Sequence, residues 1–269
     1  MGVTKIEWCD FTFNPWIGCT KVSDACDHCY AETLAKRYGW AKWGAGEPRK
    51  RTSEANWRKP LAWDRQASKD GVRRRVFCAS LADVFDAEVT DAWRLDLMQL
   101  IHATPSLDWL LLTKRPQVAK KFFLSQAMPS NIWLGTTVED QKMADLRIPI
   151  LLSIPAKVRF LSCEPLLGPI DVSPYLGEAA VDSQRFRSGI SDDIKNRERR
   201  PARGISWAIC GGESGHGARS MDLAWAQSLR DQCAAASVPF FMKQLGGARD
   251  KRDRLEDFPP NLRVREFPS

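Results

Sequence analysis

Asp108-Trp109-Leu110-Leu111-Leu112-Thr113-Lys114-Arg115-Pro116 is the stretch that decides the fold. The unbroken apolar run from Trp109 to Leu112 reads as a strand buried on both faces. It ends in a cluster of polar residues. Pro116 then predicts a helix start, since proline fits the first helical turn. A strand, a polar end and a helix form one unit of a parallel α/β protein.

The same phrase recurs on both sides. Arg75-Val76-Phe77-Cys78-Ala79 precedes it. Asn131-Ile132-Trp133-Leu134-Gly135-Thr136-Thr137, Lys157-Val158-Arg159-Phe160-Leu161-Ser162-Cys163, Ile205-Ser206-Trp207-Ala208-Ile209-Cys210 and Val238-Pro239-Phe240-Phe241-Met242-Lys243 follow it. With one strand before Cys19, about seven strands are expected. Helical patterns lie between them. Ala31 to Tyr38 is closed by Gly39, Thr90 caps a helix with Trp93, Leu97, Leu100 and Ile101 on one face, and 222–236 spaces Trp225, Leu229 and Cys233 along a helix. The expected fold is α/β, a full or partial (β/α) TIM-type barrel with parallel strands. A doubly wound open sheet is the alternative. Residues 1–247 form the expected single barrel domain, with a basic insert at 40–75, a charged loop at 177–204 and an irregular tail at 248–269. Residues 40–72 read as a long loop with at most one helix.

Each apolar run ends in residues suited to chemistry: Ser80 and Asp83; Thr113, Lys114 and Arg115; Thr136, Thr137 and Glu139; Cys163 and Glu164; Gly211-Gly212-Glu213-Ser214-Gly215; Lys243 and Gln244. In parallel α/β folds the carboxyl ends of the strands line the ligand mouth. Glycines let a ligand approach backbone N–H groups, and Glu213 can grip an ammonium group. Lys114 and Arg115 can pair a carboxylate or phosphate. Lys243, ending an apolar strand, needs a partner or a lowered pKa. Loop starts are polar in any protein, so the signal lies in the set.

Three of the eight cysteines, Cys19, Cys26 and Cys29, fall within eleven residues. Three thiolates on one loop suit a soft metal or an iron–sulfur cluster. An incomplete shell leaves a position open for a ligand, as in working rather than structural sites. Cys9 and His28 are candidate fourth ligands, and the His28 ring can instead lie against a bound nucleoside. Cys78, Cys163, Cys210 and Cys233 sit in apolar contexts and read as core.

The formal net charge is +7, and residues 49–75 alone hold ten Lys/Arg against three Asp/Glu. Trp57 and Trp63 lie among them. A nucleic acid or nucleotide partner is expected there, against the plainer reading of a solvated face. Other tryptophans fall in apolar runs and read as core. Met1 to Trp8 has no apolar signal core and no run approaches a membrane span, so a cytoplasmic protein without a membrane partner is expected. Reduced cysteines agree with that compartment.

The combination of motifs resembles the bacteriophage gene-product-37/68 family. The residues that carry it are Asn14-Pro15-Trp16-Ile17-Gly18-Cys19-Thr20-Lys21-Val22-Ser23, Cys26, Cys29-Tyr30-Ala31-Glu32, Asp83-Val84-Phe85, Leu112 to Pro116, Trp133-Leu134-Gly135 with Val138-Glu139, Arg159 to Ser162 with Glu164 to Leu167, Gly211 to Gly215, and Phe240 to Gln244. That family is similar to radical S-adenosylmethionine enzymes, whose usual triad is Cys-x3-Cys-x-aromatic-Cys. Here the first gap holds six residues, and His28 falls on the aromatic position. The resemblance implies a radical-SAM-like barrel and a [4Fe–4S] cluster on Cys19, Cys26 and Cys29. S-adenosylmethionine would bind the open iron and yield a 5′-deoxyadenosyl radical. It implies cofactor or substrate contacts from His28, Tyr30, Ser80, Thr113, Lys114, Thr137, Glu139, Gly211, Gly212, Glu213 and Ser214, with Glu164 and Lys243 as catalytic candidates. An electron donor is implied too, and modification or repair of a nucleic acid is the expected reaction class. Two other classes compete: a zinc-stabilised nucleic-acid-binding protein without catalysis, and an inactive barrel that binds a partner protein.

Overall fold

The computed structural model describes residues 4–177 and 204–268. The charged interval expected as a loop at 177–204 lies, apart from its two end glycines, outside the described residues. The chain divides into two compact units, Met1–Gly135 and Thr136–Ser269.

In the first unit β1 (Phe11–Phe13) pairs in parallel with β4 (Arg74–Cys78), and β4 with β5 (Leu107–Thr113). A separate antiparallel pair joins β2 (Trp16–Ile17) to β3 (Lys50–Arg51). The helices are α1 (Tyr30–Tyr38), α2 (Glu54–Trp57), α3 (Lys59–Asp70), α4 (Asp91–His102) and α5 (Pro116–Ser125). Thr90 caps α4 as expected, its hydroxyl accepting from Trp93 N, and Gly39 ends α1 in the left-handed region at φ 62°. The core sits on the strands. Trp109 is fully buried, edge-on to Phe13 at 5.6 Å, and its Nε1 donates to Thr104 Oγ1 at 3.0 Å.

Strand β6 (Ile132–Thr137) spans the boundary. The second unit continues with α6 (Gln141–Leu152), β7 (Val158–Cys163), β8 (Trp207–Gly211), α7 (Leu223–Ala235) and β9 (Phe240–Gln244). β7 pairs in parallel with β8, and β8 with β9. Its core is built on Phe160, Trp207 and Phe241, with ring centroids 5.8 and 6.2 Å apart.

Hydrogen bonding links the strands of a seven-stranded sheet in the order β1-β4-β5-β6-β7-β8-β9. The order never reverses. A doubly wound sheet requires a reversal, so the sequential winding of a partial (β/α) barrel is the compatible alternative.

Two segments differ from the sequence reading. Residues 40–72 are not one long loop, because they hold β3, α2 and α3. Ser53 caps α2 by accepting from Asn56 N, Pro60 starts α3, and Gly71 at φ 65° closes it. Few apolar positions mark α3, since only Pro60, Trp63 and Ala67 are buried. Helix α6 carried no recognised signal, because Pro149 interrupts it, although Asp140 caps it by accepting from Met143 N at 2.8 Å. The tail holds two 3-10 turns and otherwise loop, and lies against β9. Met242 N donates to Val264 O at 2.8 Å, Glu266 N to Phe240 O at 2.9 Å, and Phe258 and Leu262 are buried.

Candidate functional site

The cysteine loop leaves β2 at Gly18, where φ is +112° and a β-carbon would stand 3.0 Å from Arg49 Cδ. Glycine is needed for both reasons. Gly18 N donates to Leu81 O at 3.1 Å, and Gly18 bridges Ala82. The first cysteine is thereby fixed beside the chain leaving the carboxyl end of β4. Cys26 is buried and closes the 3-10 turn Asp24–Cys26, its N–H on Ser23 O at 2.8 Å. Cys29 is the N-cap residue of α1. None of the three is in a disulfide.

A buried charge network holds the start of this loop. Arg115, on the turn between β5 and α5, donates Nη1 to Asp83 Oδ2 at 2.9 Å and to Cys19 Sγ at 3.6 Å. Its Nη2 reaches Thr20 O at 2.6 Å and Asp86 Oδ2 at 2.9 Å. Arg49 donates Nε and Nη2 to Asp86 Oδ1 and Nη2 to Thr20 Oγ1. Thr20 N closes the circuit on Asp86 Oδ2 at 2.9 Å. Two arginines face two aspartates, so the buried charges cancel.

The pKa directions follow from this geometry. Burial opposes the ionised form of Asp86, yet Arg115, Arg49 and the Glu88 N–H hold its carboxyl below the usual range. Burial also works against charge on Arg115, but Asp83, Cys19 and Asp86 raise its pKa. Burial, reinforced by Asp83, pushes the Cys19 thiol up to about 12 despite Arg115. A coordinating cation would supply the charge that deprotonates it.

Do these residues fit a metal group? Among the described residues no group of three His, Cys, Asp or Glu is arranged to hold a metal ion. Zinc needs its sulfurs within about 2.3 Å of one point. An iron–sulfur cube takes each thiolate on a separate iron, and so holds its ligands farther apart. The donor set suits that group: three free thiols on one loop, with Cys19 beside a guanidinium and Cys29 the N-cap residue of a helix. Cys9 is a packed thiol instead. It is buried, donates Sγ to Ile6 O at 3.7 Å, and burial pushes it up to about 12.

Several expected cofactor contacts in this unit are already engaged. Ser80 Oγ exchanges hydrogen bonds with Asn14, whose Oδ1 also accepts from Leu81 N at 2.7 Å. The exposed Tyr30 donates its hydroxyl to Ser80 O at 2.7 Å. Asn14 was missed as a site residue, although it opens the first motif of the resemblance. Thr113 Oγ1 donates to Asp83 Oδ1 at 2.7 Å, and Lys114 gives its backbone N–H to Asp83 Oδ2 at 3.0 Å. Arg115 does not stand ready to pair a ligand anion, because Asp83 and Asp86 take its fork. His28 is exposed, and Lys114 is half-buried.

The second unit holds its own strand-end group. Lys243 Nζ pairs with Glu164 Oε1, and both side chains stay partly exposed, at 17% and 18%. The partner that Lys243 required is therefore Glu164. Glu139 is fully buried; its Oε2 accepts from Arg147 Nη1 at 2.7 Å, while its Oε1 has no hydrogen-bond partner. The same Nη1 donates to the carbonyl of the buried Thr137 at 2.9 Å.

The Gly-Gly-Glu motif differs from its expected use. Gly212 N donates to Gln244 O at 3.0 Å and Gly212 O accepts from Gln244 Nε2 at 2.8 Å. A β-carbon on Gly212 would collide with the Leu245 carbonyl, so this glycine permits close packing against the end of β9. Gly211 lies under the Glu164 stem, where a β-carbon would come within 3.3 Å of Cγ. Glu213 does not await an ammonium group: Arg219 grips it through Nη2 at 2.6 Å and through Nε and its backbone N–H at 2.9 Å. Ser214 bridges Gly247.

The basic segment is largely paired. Arg73 meets Asp108, Arg74 meets Asp10 and Asp70, Arg58 meets Glu54, and Arg51 meets Asp96. Trp63 is not an open stacking surface, since it is buried and stacks on Phe11 at 4.5 Å. Trp57 lies under the Arg51 guanidinium at 4.1 Å, beside a hollow of about 260 Å³ lined by Arg51, Thr52, Glu54, Trp57 and Arg58. Among the described residues, Lys50, Lys59, Arg65 and Lys69 carry no ion pair.

The fold and the site define an α/β protein with a parallel sheet and a three-cysteine loop at its strand ends. The chain belongs to the family described as protein of unknown function (DUF5131), whose model matches residues 3–261. No curated protein and no solved structure matches it. No helix of the described residues is long and apolar enough to cross a membrane.

Proposed function

We propose that the chain is an iron–sulfur enzyme of the radical S-adenosylmethionine type, with Cys19, Cys26 and Cys29 as ligands of a [4Fe–4S] cluster. The observation that carries this reading is the placement of Cys19. Its loop is tied to the carboxyl end of β4 through Leu81, and its sulfur lies 3.6 Å from the guanidinium that follows β5. That is the end of a parallel sheet where ligands bind. The sequential strand order suits the partial barrel that the resemblance implies.

The cluster, with S-adenosylmethionine on its open iron, would supply a 5′-deoxyadenosyl radical. The protein's part is to hold and shield. Gly18, Arg49, Arg115 and the two aspartates fix the loop. Cys19 beside Arg115, Cys26 on its 3-10 turn and Cys29 at the α1 N-terminus would hold the cluster. Lys114, half-buried after β5, would meet a carboxylate or phosphate. In the second unit the partly exposed Glu164–Lys243 pair would hold or move a proton on a substrate. The substrate class we favour is a nucleic acid or nucleotide, for modification or repair, on the strength of Lys50, Lys59, Arg65 and Lys69. A separate electron donor is required.

The test is anaerobic reconstitution with iron and sulfide, then reduction in the presence of S-adenosylmethionine. Formation of 5′-deoxyadenosine is expected. A reduced cluster that yields none contradicts the proposal.

A further inference from the structure

Arg115, which helps to fix the cysteine loop, also touches the sulfur of its first cysteine. Its guanidinium is almost completely buried and its two terminal nitrogens are committed on both sides. Nη1 lies between Asp83 Oδ2 and Cys19 Sγ, and Nη2 between Asp86 Oδ2 and Thr20 O. Four acceptors from two segments of chain, 19–20 and 83–86, leave the group no freedom to turn away. An arginine needed only to balance charge could meet the two carboxylates without touching a sulfur. Here it also meets the first cysteine of the loop. Among the described residues no side chain donates to the sulfur of Cys26 or Cys29.

We infer that Arg115 is a positioning residue that raises the reduction potential of the group bound by Cys19, by donating Nη1–H to that sulfur. The inference rests on the cluster reading above. Reduction adds negative charge to a cluster and its thiolates. A fixed N–H donor and a positive charge beside one sulfur stabilise the reduced form. Asp83 and Asp86 oppose this through their own charge, so the potential at Cys19 is set by a balance. Each side of the balance can be removed separately, and the two removals have opposite signs. A clamp without electronic effect would move neither.

The experiment uses the full-length chain, reconstituted anaerobically and titrated reductively with the cluster signal followed by electron paramagnetic resonance. Arg115→Gln is expected to shift the midpoint to more negative potential at unchanged iron content. Arg115→Lys should shift it less, because the charge remains while the fork is lost. Asp83→Asn should shift it positive. If both Arg115→Gln and Asp83→Asn carry the wild-type iron content and titrate at the wild-type midpoint, the inference is overturned and the cluster reading stands. If Arg115→Gln does not fold, an unchanged midpoint in Asp83→Asn overturns it alone. Wild-type chain that takes up no cluster overturns the reading beneath it, and the inference with it.

Discussion

Arg49 meets Asp86 with both side chains fully shielded from solvent, Nε and Nη2 donating to the same oxygen at 3.0 and 2.8 Å. The pair ties the segment before β3 to the segment after β4, and Thr20 of the cysteine loop hangs from both partners. Breaking a buried pair from one side leaves an uncompensated charge. Asp86→Ala is therefore expected to lose about 3–5 kcal/mol of stability, read by denaturant unfolding. A loss within error would mean that the network does not hold the loop.

The same carboxylate gives a pH dependence. Its pKa in the folded chain is lowered, because Arg115, Arg49 and the Glu88 N–H outweigh burial. The stability it contributes is present above the unfolded value of about 4 and is lost as pH falls through the folded value. Unfolding free energy should decline below pH ~4, and Asp86→Asn should flatten part of that decline. Identical slopes in the two proteins would contradict the assignment.

Glu213 and Arg219 should behave as a structural couple. Three hydrogen bonds join them, and the carboxylate is nearly buried while the guanidinium is partly exposed. A double-mutant cycle of Glu213→Gln and Arg219→Ala should show a coupling of about 0.5–3 kcal/mol in stability. Additive losses would return Glu213 to the role of an uncommitted ligand contact.

Glu164 and Lys243 should divide stability from activity. Their side chains are 18% and 17% exposed, so each single variant, Glu164→Gln or Lys243→Met, should cost more than a surface pair and less than a fully buried one, about 1–3 kcal/mol. Turnover should fall by about 100-fold or more, the usual size of a general acid–base contribution. The double variant should recover stability without recovering turnover. Full turnover in either single variant would remove the pair from the chemistry.

For the basic segment, the unpaired cations carry the expectation. Replacing Lys50, Lys59, Arg65 and Lys69 together should weaken binding to nucleic acid and flatten its salt dependence, by about 0.7–0.9 in slope for each phosphate no longer neutralised. Replacing the paired Arg73 and Arg74 should change the slope less. Binding that is absent, or indifferent to salt, would remove nucleic acid as the substrate class.

What the sequence revealed divides along physical lines. The strands were legible because residues buried on both faces write continuous apolar runs, as Trp109 to Leu112 do. The Thr90 cap and the Gly39 stop were legible because their chemistry is local. Helix α3 was hidden because its buried stripe, Pro60, Trp63 and Ala67, is only three residues long in a charged segment, and α6 by Pro149. At the site, the residue types at strand ends could be read, but not their partners. Glu213 looked available until Arg219 was seen to hold it, and Arg115 looked like a ligand contact until Asp83 and Asp86 were placed beside it. Pairings between residues far apart in the chain leave no local pattern. The loop of Cys19, Cys26 and Cys29 was legible because its spacing is local.

The most direct measurement is the iron content and low-temperature electron paramagnetic resonance of the reconstituted, reduced chain, with and without S-adenosylmethionine. About four irons per chain are expected, with a signal that changes when S-adenosylmethionine binds the open iron. Cys19→Ala, Cys26→Ala and Cys29→Ala should each abolish it, and Cys9→Ala should not. A chain that binds no iron, or a cluster that survives loss of any of the three, would contradict the proposed function.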